Sequence, residues 1–400
     1  MSFLSDRVSL VKPSPTLAID QKAKELQAAG QDVVNLGAGE PDFLTPPHVC
    51  QAAIEAVQAG KHRYTAVDGI VELKKAIIEK FKTDNHLSYS LDQVIVSSGA
   101  KMVIYSAMMA TLNPGDEVVI PCPYWVSYPD MVCLAGGSPV FVPCQDSERF
   151  KISPEQLRQV MTPKTKWVIL NSPSNPTGSV YTRDELMAFG DVLRDFPHVH
   201  ILSDDIYEYL VYGQVQFHTL AEVCPDLAGR TLVVNGASKA YAMTGWRLGY
   251  GAGPKDLIKA MRTIQSQSTS NPCAITQYAA LTALSSPRPF LVEWKKQYVL
   301  RRDAFVAGIN AIPGLSCTTP DGAFYVFINC SELLGKTTKT GHVLANDLDV
   351  AAFMLDECQV AVTPGSVFGM APYLRASYAT SMENLMKACE KISAGVRTLV

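Results

Sequence analysis

Between residues 93 and 251 short apolar runs alternate with amphipathic stretches, and this alternation restricts the fold more than any other feature of the chain. The runs at 93–98, 117–121, 139–143, 166–171, 200–204, 231–235 and 245–251 end in small or polar residues and read as strands. Helical periodicity fills stretches between them, as at 101–112, 124–135 and 182–194. Strand–helix alternation of this kind predicts an α/β fold, with a mostly parallel seven-stranded sheet covered on both faces by helices. Such sheets bind ligands beyond the carboxyl ends of their strands. Segments 99–101, 171–178 and 204–207, together with Lys239, each follow a strand-like run and so converge on that edge.

From residue 254 the texture changes. Helices are predicted at 254–267, 272–284 and 289–312, then a strand at 319–329, a helix at 351–357, strands at 360–362 and 373–378, and a closing helix at 382–399. This reads as a smaller α+β unit, with a helix at 16–29 and a strand at 33–36 packing beside it. The expected division is a large domain of residues 47–295 and a small domain of residues 1–46 and 296–400. Length and an apolar content of 47% permit two such cores.

Several function classes drop out. A net charge of −3 with no dense Lys/Arg cluster argues against nucleic-acid binding. No stretch approaches the length of uninterrupted apolar sequence that a membrane span needs, and residues 1–11 lack the apolar core of a signal peptide. Ten cysteines and seven histidines show no metal-ligand spacing, so no metal site is expected; the cysteines read as buried small hydrophobes of a reduced, cytoplasmic compartment.

Within Ser-Lys-Ala-Tyr-Ala-Met-Thr-Gly-Trp-Arg-Leu-Gly-Tyr (238–250), Lys239 stands eight residues before Arg247, after the run at 231–234. A lysine at a strand end can form an imine with an aldehyde, and an arginine can hold a phosphate by its planar fork. Those are the two fixing points that a pyridoxal phosphate enzyme needs; an ordinary surface Lys and Arg flanking a turn is the alternative.

Further segments run in order along the chain: Lys-Pro-Ser-Pro-Thr (12–16), Ala-Gly-Glu-Pro-Asp-Phe (38–43), Arg-Tyr-Thr-Ala-Val-Asp-Gly (63–69), Pro-Tyr-Trp-Val-Ser-Tyr-Pro (123–129), Asn-Pro-Thr-Gly (175–178), Asp-Asp-Ile-Tyr (204–207) and Arg-Ala-Ser-Tyr-Ala (375–379). With 238–250 they resemble the class I aminotransferases of pyridoxal phosphate fold type I, nearest to the bacterial aspartate/prephenate branch. That resemblance implies pyridoxal 5′-phosphate as cofactor and Lys239 as the Schiff-base lysine and proton carrier. It implies Asp204 as partner of the pyridine nitrogen, with Tyr207 and Asn175 as donors to the 3′-oxygen. Asn-Pro-Thr-Gly is also a good turn in its own right. Trp125 would stack on the ring, a core tryptophan being the alternative. Asp205, by strand alternation, reads as a structural or surface acid.

The phosphate would lie at Gly99, Ala100 and Lys101, where a strand leads into a helix, with Ser238 and Arg247 completing the cradle. In the family a tyrosine matching Tyr64 arrives from the other subunit, which implies a homodimer with composite sites. Arg375 and the Gly39 amide would hold the α-carboxylate of small amino and 2-oxo acids. For the distal carboxylate the resemblance offers Lys101 and Thr16, with Lys12 matching the basic residue associated with prephenate; Lys101 could instead simply neutralise the phosphate. The activity implied is transfer between L-aspartate and 2-oxoglutarate in a ping-pong cycle, with prephenate as a second acceptor giving arogenate. Aromatic, alanine or kynurenine aminotransferases on the same fold are the alternative, and a dehydrogenase is disfavoured because Gly37-Ala38-Gly39 runs into Glu40-Pro41 rather than a helix.

Overall fold

Pro47 at the first position of one helix and a left-handed His86 closing the next show how local signals delimit the opening elements. The computed structural model describes residues 3–11, 13 and 15–400, with α1 (Pro15–Ala28), β1 (Val34–Asn35), α2 (Pro47–Gln58) and α3 (Val71–Asn85) first in order. There follow β2 (Val94–Ser97), α4 (Ala100–Thr111), β3 (Glu117–Cys122), α5 (Ser127–Leu134), β4 (Ser138–Pro143), α6 (Pro154–Val160) and β5 (Thr165–Asn171). Then come α7 (Arg183–Arg194), β6 (His200–Asp204), α8 (Leu220–Val223), β7 (Thr231–Gly236) and β8 (Gly249–Ala252). Ser153 and Thr182 open α6 and α7 as capping boxes, each satisfying two otherwise free backbone donors.

Strands β2 to β8 make one seven-stranded sheet in the order β2-β8-β7-β6-β5-β3-β4. All pairs are parallel except those of β8, which runs antiparallel between β2 and β7. Strands β2, β7 and β8 are buried along their whole length, as a sheet covered on both faces requires.

That topology fixes where the site lies. Asn171, Asp204 and Val234 stand level across the carboxyl ends of β5, β6 and β7. Because β8 runs the other way, its first residue Gly249 pairs with both Ser97 and Gly236. The residues entering β8 therefore share an edge with the residues leaving β2 and β7. A Cβ at Gly249 would fall within contact of the Ala100 backbone nitrogen, so glycine lets α4 start directly against β8.

The remaining chain forms α9 (Lys255–Ser266), α10 (Ala274–Ser285) and α11 (Pro289–Asn310), then β9 (Ser316–Cys317), β10 (Tyr325–Asn329), α12 (Asp347–Asp356), β11 (Val360–Ala361), β12 (Thr363–Pro364), β13 (Tyr373–Ser377) and α13 (Met382–Val396). An antiparallel sheet, β12-β13-β10-β9, packs with α11, α12 and α13, and β1 pairs with β11 beside it. Along α11 the packing partners change: Trp294 joins the cluster around α2, α3 and α10, whereas Tyr298 and Phe305 join that of the smaller sheet.

Three local readings need correction. Residues 245–248 are a turn rather than the start of a strand, because Arg247 adopts φ +54° there. The strand expected at 319–329 begins at Tyr325, since Asp321 and Gly322 turn to donate their N–H groups to the Gly178 carbonyl. The cysteines are all free, but Cys273 is exposed and Cys50, Cys133 and Cys317 are half-buried. No helix among the described residues is long and apolar enough to cross a membrane.

Candidate active site

At the carboxyl edge of the large sheet lies a cleft of about 470 Å³, closed on its far side by the smaller unit. Its floor is built from the ends of β5, β6 and β7. Lys239, three residues beyond β7, projects its amine to the Gly39 carbonyl and stands within 5.6 Å of the Tyr207 ring. Burial pushes the Lys239 amine down to about 8, the nearby Arg375 charge adding to the effect and Glu40 opposing it.

Asp204, the last residue of β6, is buried and accepts a 2.6 Å hydrogen bond from the Tyr128 hydroxyl. Burial raises its carboxyl to about 6, and the Tyr128 bond holds it back from rising further. Asn171 fixes two strand ends at once. Its Nδ2 donates to the Asp204 carbonyl at 2.9 Å, and its Oδ1 accepts from the Asn175 N–H at 2.9 Å. Tyr207 shares a 2.8 Å hydrogen bond with the Tyr325 hydroxyl.

Arg375 comes from β13 of the smaller sheet and is buried. Its Nη1 donates to Asn175 Oδ1 at 3.0 Å and its Nη2 to the Gly37 carbonyl at 2.7 Å, while its guanidinium lies 4.6 Å from the Tyr325 ring centre. Its Nε finds no acceptor among the described residues. A buried guanidinium N–H without a partner is costly, and an incoming carboxylate would satisfy it.

The opposite end of the cleft is cationic. Gly99 takes φ +89° just before α4, and a Cβ there would lie 2.5 Å from Arg247 Nη2. Ala100 and Lys101 begin α4, whose first N–H groups have no intrahelical acceptors. Ser238 and Arg247 face the same space. Arg247 holds its left-handed conformation with Nη1 donating to the Thr244 carbonyl at 2.9 Å. Lys101 Nζ sits 5.0 Å over the Trp125 ring, and partial burial together with the Arg247 charge lowers its basicity. An anion suits this corner.

A family model described as aminotransferase class I and II matches residues 31–392. The chain belongs to that family. It is 55% identical over 394 residues to an aspartate/prephenate aminotransferase of Cereibacter sphaeroides, with 98% of each chain covered. The crystal structure of the aspartate aminotransferase from Rhizobium meliloti superposes with a TM-score of 0.96 at 48% identity, covering all of both chains. The aspartate aminotransferase from Thermus thermophilus with maleate superposes with a TM-score of 0.92 at 43% identity, covering 98% of this chain and 100% of that one.

In this aminotransferase the remaining sequence candidates divide. Thr16 and Gly39 line the cleft with Trp125 and Asn175. Tyr64 does not line it; the side chain is 93% exposed elsewhere on the surface. Lys12 lies outside the described residues. Asp205 is no surface acid: it is buried and accepts from the Ser203 hydroxyl at 2.7 Å, and burial raises its carboxyl to about 7. Sequence reasoning passed over Tyr128 and Tyr325, and placed Asn171 at this edge only as part of the segment 171–178. Tyr128 carried a usable signal, lying one helical turn after Trp125 in the same segment, and Asn171 ends a strand-like run. Tyr325 had none, because its link to Tyr207 spans 118 residues.

Proposed function

We propose that this aminotransferase carries pyridoxal 5′-phosphate on Lys239 and exchanges the amino group between L-aspartate and 2-oxoglutarate in two half-reactions, with prephenate as a further acceptor giving arogenate. The observation that carries this reading is one cleft gathering an amine of lowered basicity, a buried carboxylate and a buried guanidinium with an unused N–H. The residues fit the coenzyme: the α4 N-terminus, Ser238 and Arg247 suit its phosphate, and Asp204 suits a ring nitrogen that carries a proton. The names of similar enzymes support the substrates, and maleate, present with the Thermus thermophilus enzyme, is a dicarboxylate.

When bound, the coenzyme supplies an aldehyde for amines and a ring that takes up electron density. Lys239 Nζ then carries the proton of the substrate Cα, a task suited to an amine titrating near neutrality. Asp204 would hold a protonated ring nitrogen, and Asn175 and Tyr207 would donate to the 3′-oxygen. Trp125, which lines the cleft, would cover the ring and exclude water. Arg375 and the Gly39 N–H would hold the α-carboxylate and fix the orientation of the substrate Cα. Lys101 and Thr16 receive the distal carboxylate. Lysine is a compact charge on a flexible stem, which suits acids of different length. The chain works as a cytoplasmic homodimer in which Tyr64 reaches the phosphate corner of its partner. Residues 47–295 form the coenzyme-binding domain, and residues 1–46 with 296–400 form the smaller one.

Absorbance of the purified protein, supplied with pyridoxal phosphate and then with aspartate, tests this. A yellow visible band should appear and then give way to a near-ultraviolet band, with oxaloacetate released. A protein that stays colourless after incubation with the coenzyme overturns the proposal.

A further inference from the structure

The turn that follows β6 has two faces. Asp204, Ile206 and Tyr207 look into the cleft. Asp205, Glu208 and Tyr209 do not line it; Asp205 bonds to Ser203, and Glu208 and Tyr209 bond to the end of α3. Glu208 forms an ion pair with Lys80 in which the two side chains are 2% and 1% exposed. Asn85 joins both: its Nδ2 donates to Glu208 Oε2 at 2.9 Å, and its Oδ1 accepts from Lys80 Nζ at 2.7 Å. Next to this trio the Tyr209 hydroxyl donates to Asp84, which also receives a two-pronged bond from Arg288 at 2.7 and 3.0 Å. Lys80, Asp84 and Asn85 all belong to the last two turns of α3.

Stability is a poor reason for this arrangement. Burying a lysine and a glutamate costs each its hydration, and packed apolar side chains of similar volume stabilise a fold as well or better. What the ion pair supplies is a defined position. Backbone hydrogen bonds shape the turn itself, and side chains set where it sits against the rest of the fold. Glu208 N–H bonds to the Asp205 carbonyl at 2.9 Å, Leu210 N–H bonds to the Tyr207 carbonyl at 2.8 Å, and Asp205 N–H reaches Val234 at 2.9 Å. Tyr128 and Tyr325 hold the Asp204 and Tyr207 side chains from the cleft side. From behind, the backbone immediately after Tyr207 is tied to α3 through Glu208.

We propose that Glu208 is a positioning residue for amino-group transfer: gripped by Lys80 and Asn85, it fixes the turn that presents Asp204 and Tyr207 to the cleft. The inference rests on the coenzyme site proposed above, since it assigns a purpose to the placement of those two groups. A reactive group held loosely by an ångström loses much of its effect, and supporting residues set that tolerance.

Two variants test it, Glu208→Gln and the apolar pair Lys80→Met/Glu208→Met, each saturated with pyridoxal phosphate. The wild-type protein comes first: if it shows no visible band, the function proposed above fails and the positioning role fails with it. Given that band, each variant should lower kcat for aspartate at least about tenfold while KM stays within about twofold, the pattern of a lost transition-state alignment. The pH midpoint of the visible band should also rise, because a misplaced Tyr207 donates less well to the coenzyme oxygen. Glu208→Gln leaves Lys80 buried without its partner; should that variant not fold, the apolar pair decides alone. A folded apolar pair with wild-type kcat and an unmoved band midpoint overturns the proposal, and a lowered melting temperature with both values unchanged does the same by reducing the ion pair to a structural contact.

Discussion

Lys239 shows how one position acquires reactivity from its surroundings. Its amine sits in a partly dehydrated cleft near the Arg375 guanidinium, and both influences disfavour the ammonium form. The sign follows directly: with the folded-state value lowered to about 8, the free amine becomes the major form above that pH instead of near the ordinary lysine value. In coenzyme-free protein treated with cyanate at increasing pH, peptide mapping should show half-maximal modification of Lys239 near pH 8, with exposed lysines still climbing beyond it. Arg375→Gln should move the Lys239 midpoint upward, and a Lys239 that tracks the exposed lysines would show the cleft does not depress it. Lys101 separates two roles at the same scale. If it receives the distal carboxylate, Lys101→Ala raises KM for aspartate and 2-oxoglutarate at least about tenfold, a lost ionic hydrogen bond, yet barely changes it for alanine or phenylalanine. Equal losses for all four, with weaker coenzyme binding, would assign it to the phosphate instead. The sequence makes Lys239, Asp204, Asn175 and Arg247 readable because each demands a particular chemistry and each follows a strand or flanks one. Tyr128 and Tyr325 stay hidden because their value is a hydrogen bond to a residue far along the chain.

Elements were legible where local pattern and tertiary context agree. The inner strands of the large sheet announce themselves as apolar runs, since a strand buried on both faces has no polar face to dilute the signal, whereas β4 at the sheet edge is largely exposed. Helices α2 and α3 escaped notice although a proline start and a left-handed end bracket them. Their patterns are blurred: α3 buries Lys74, Lys80 and Asn85 among its apolar residues. The start of β8 was misplaced because Gly245 to Leu248 look like strand, while the close approach of α4 to Gly249 and the left-handed Arg247 are properties of the assembled edge. That crowding gives a prediction. In Gly249→Ala the new methyl must displace the first turn of α4, whose N–H groups open onto the cationic corner of the cleft. Affinity for pyridoxal phosphate should fall by at least about tenfold, because a helix start shifted by an ångström no longer aims its donors at the phosphate. Binding of pyridoxal, which lacks the phosphate, should fall much less in the same titration. A parallel loss for both ligands would mean that the substitution damages the cleft as a whole.

At the scale of the whole molecule, the cleft draws Asp204, Tyr207 and Lys239 from the large sheet and Arg375 from the small one, so neither unit holds a complete site. The homodimer proposed above would extend that logic beyond one chain through Tyr64. Its ring is 93% exposed and lies outside the cleft of its own chain. If Tyr64 of one subunit completes the phosphate corner of the other, Lys239→Ala and Tyr64→Ala are each defective as homodimers, but for reasons that a mixed dimer separates. One site of the hybrid then carries both defects, whereas the other combines an intact Lys239 with an intact Tyr64. Random re-pairing of equal amounts makes half of the dimers hybrid with one sound site in two, so activity should recover to about a quarter of wild type in a symmetric dimer. Co-refolded or slowly exchanged mixtures, assayed with aspartate and 2-oxoglutarate, give the measurement. Activity that merely averages the two parents would place every working residue within a single chain and exclude Tyr64 from its partner's site.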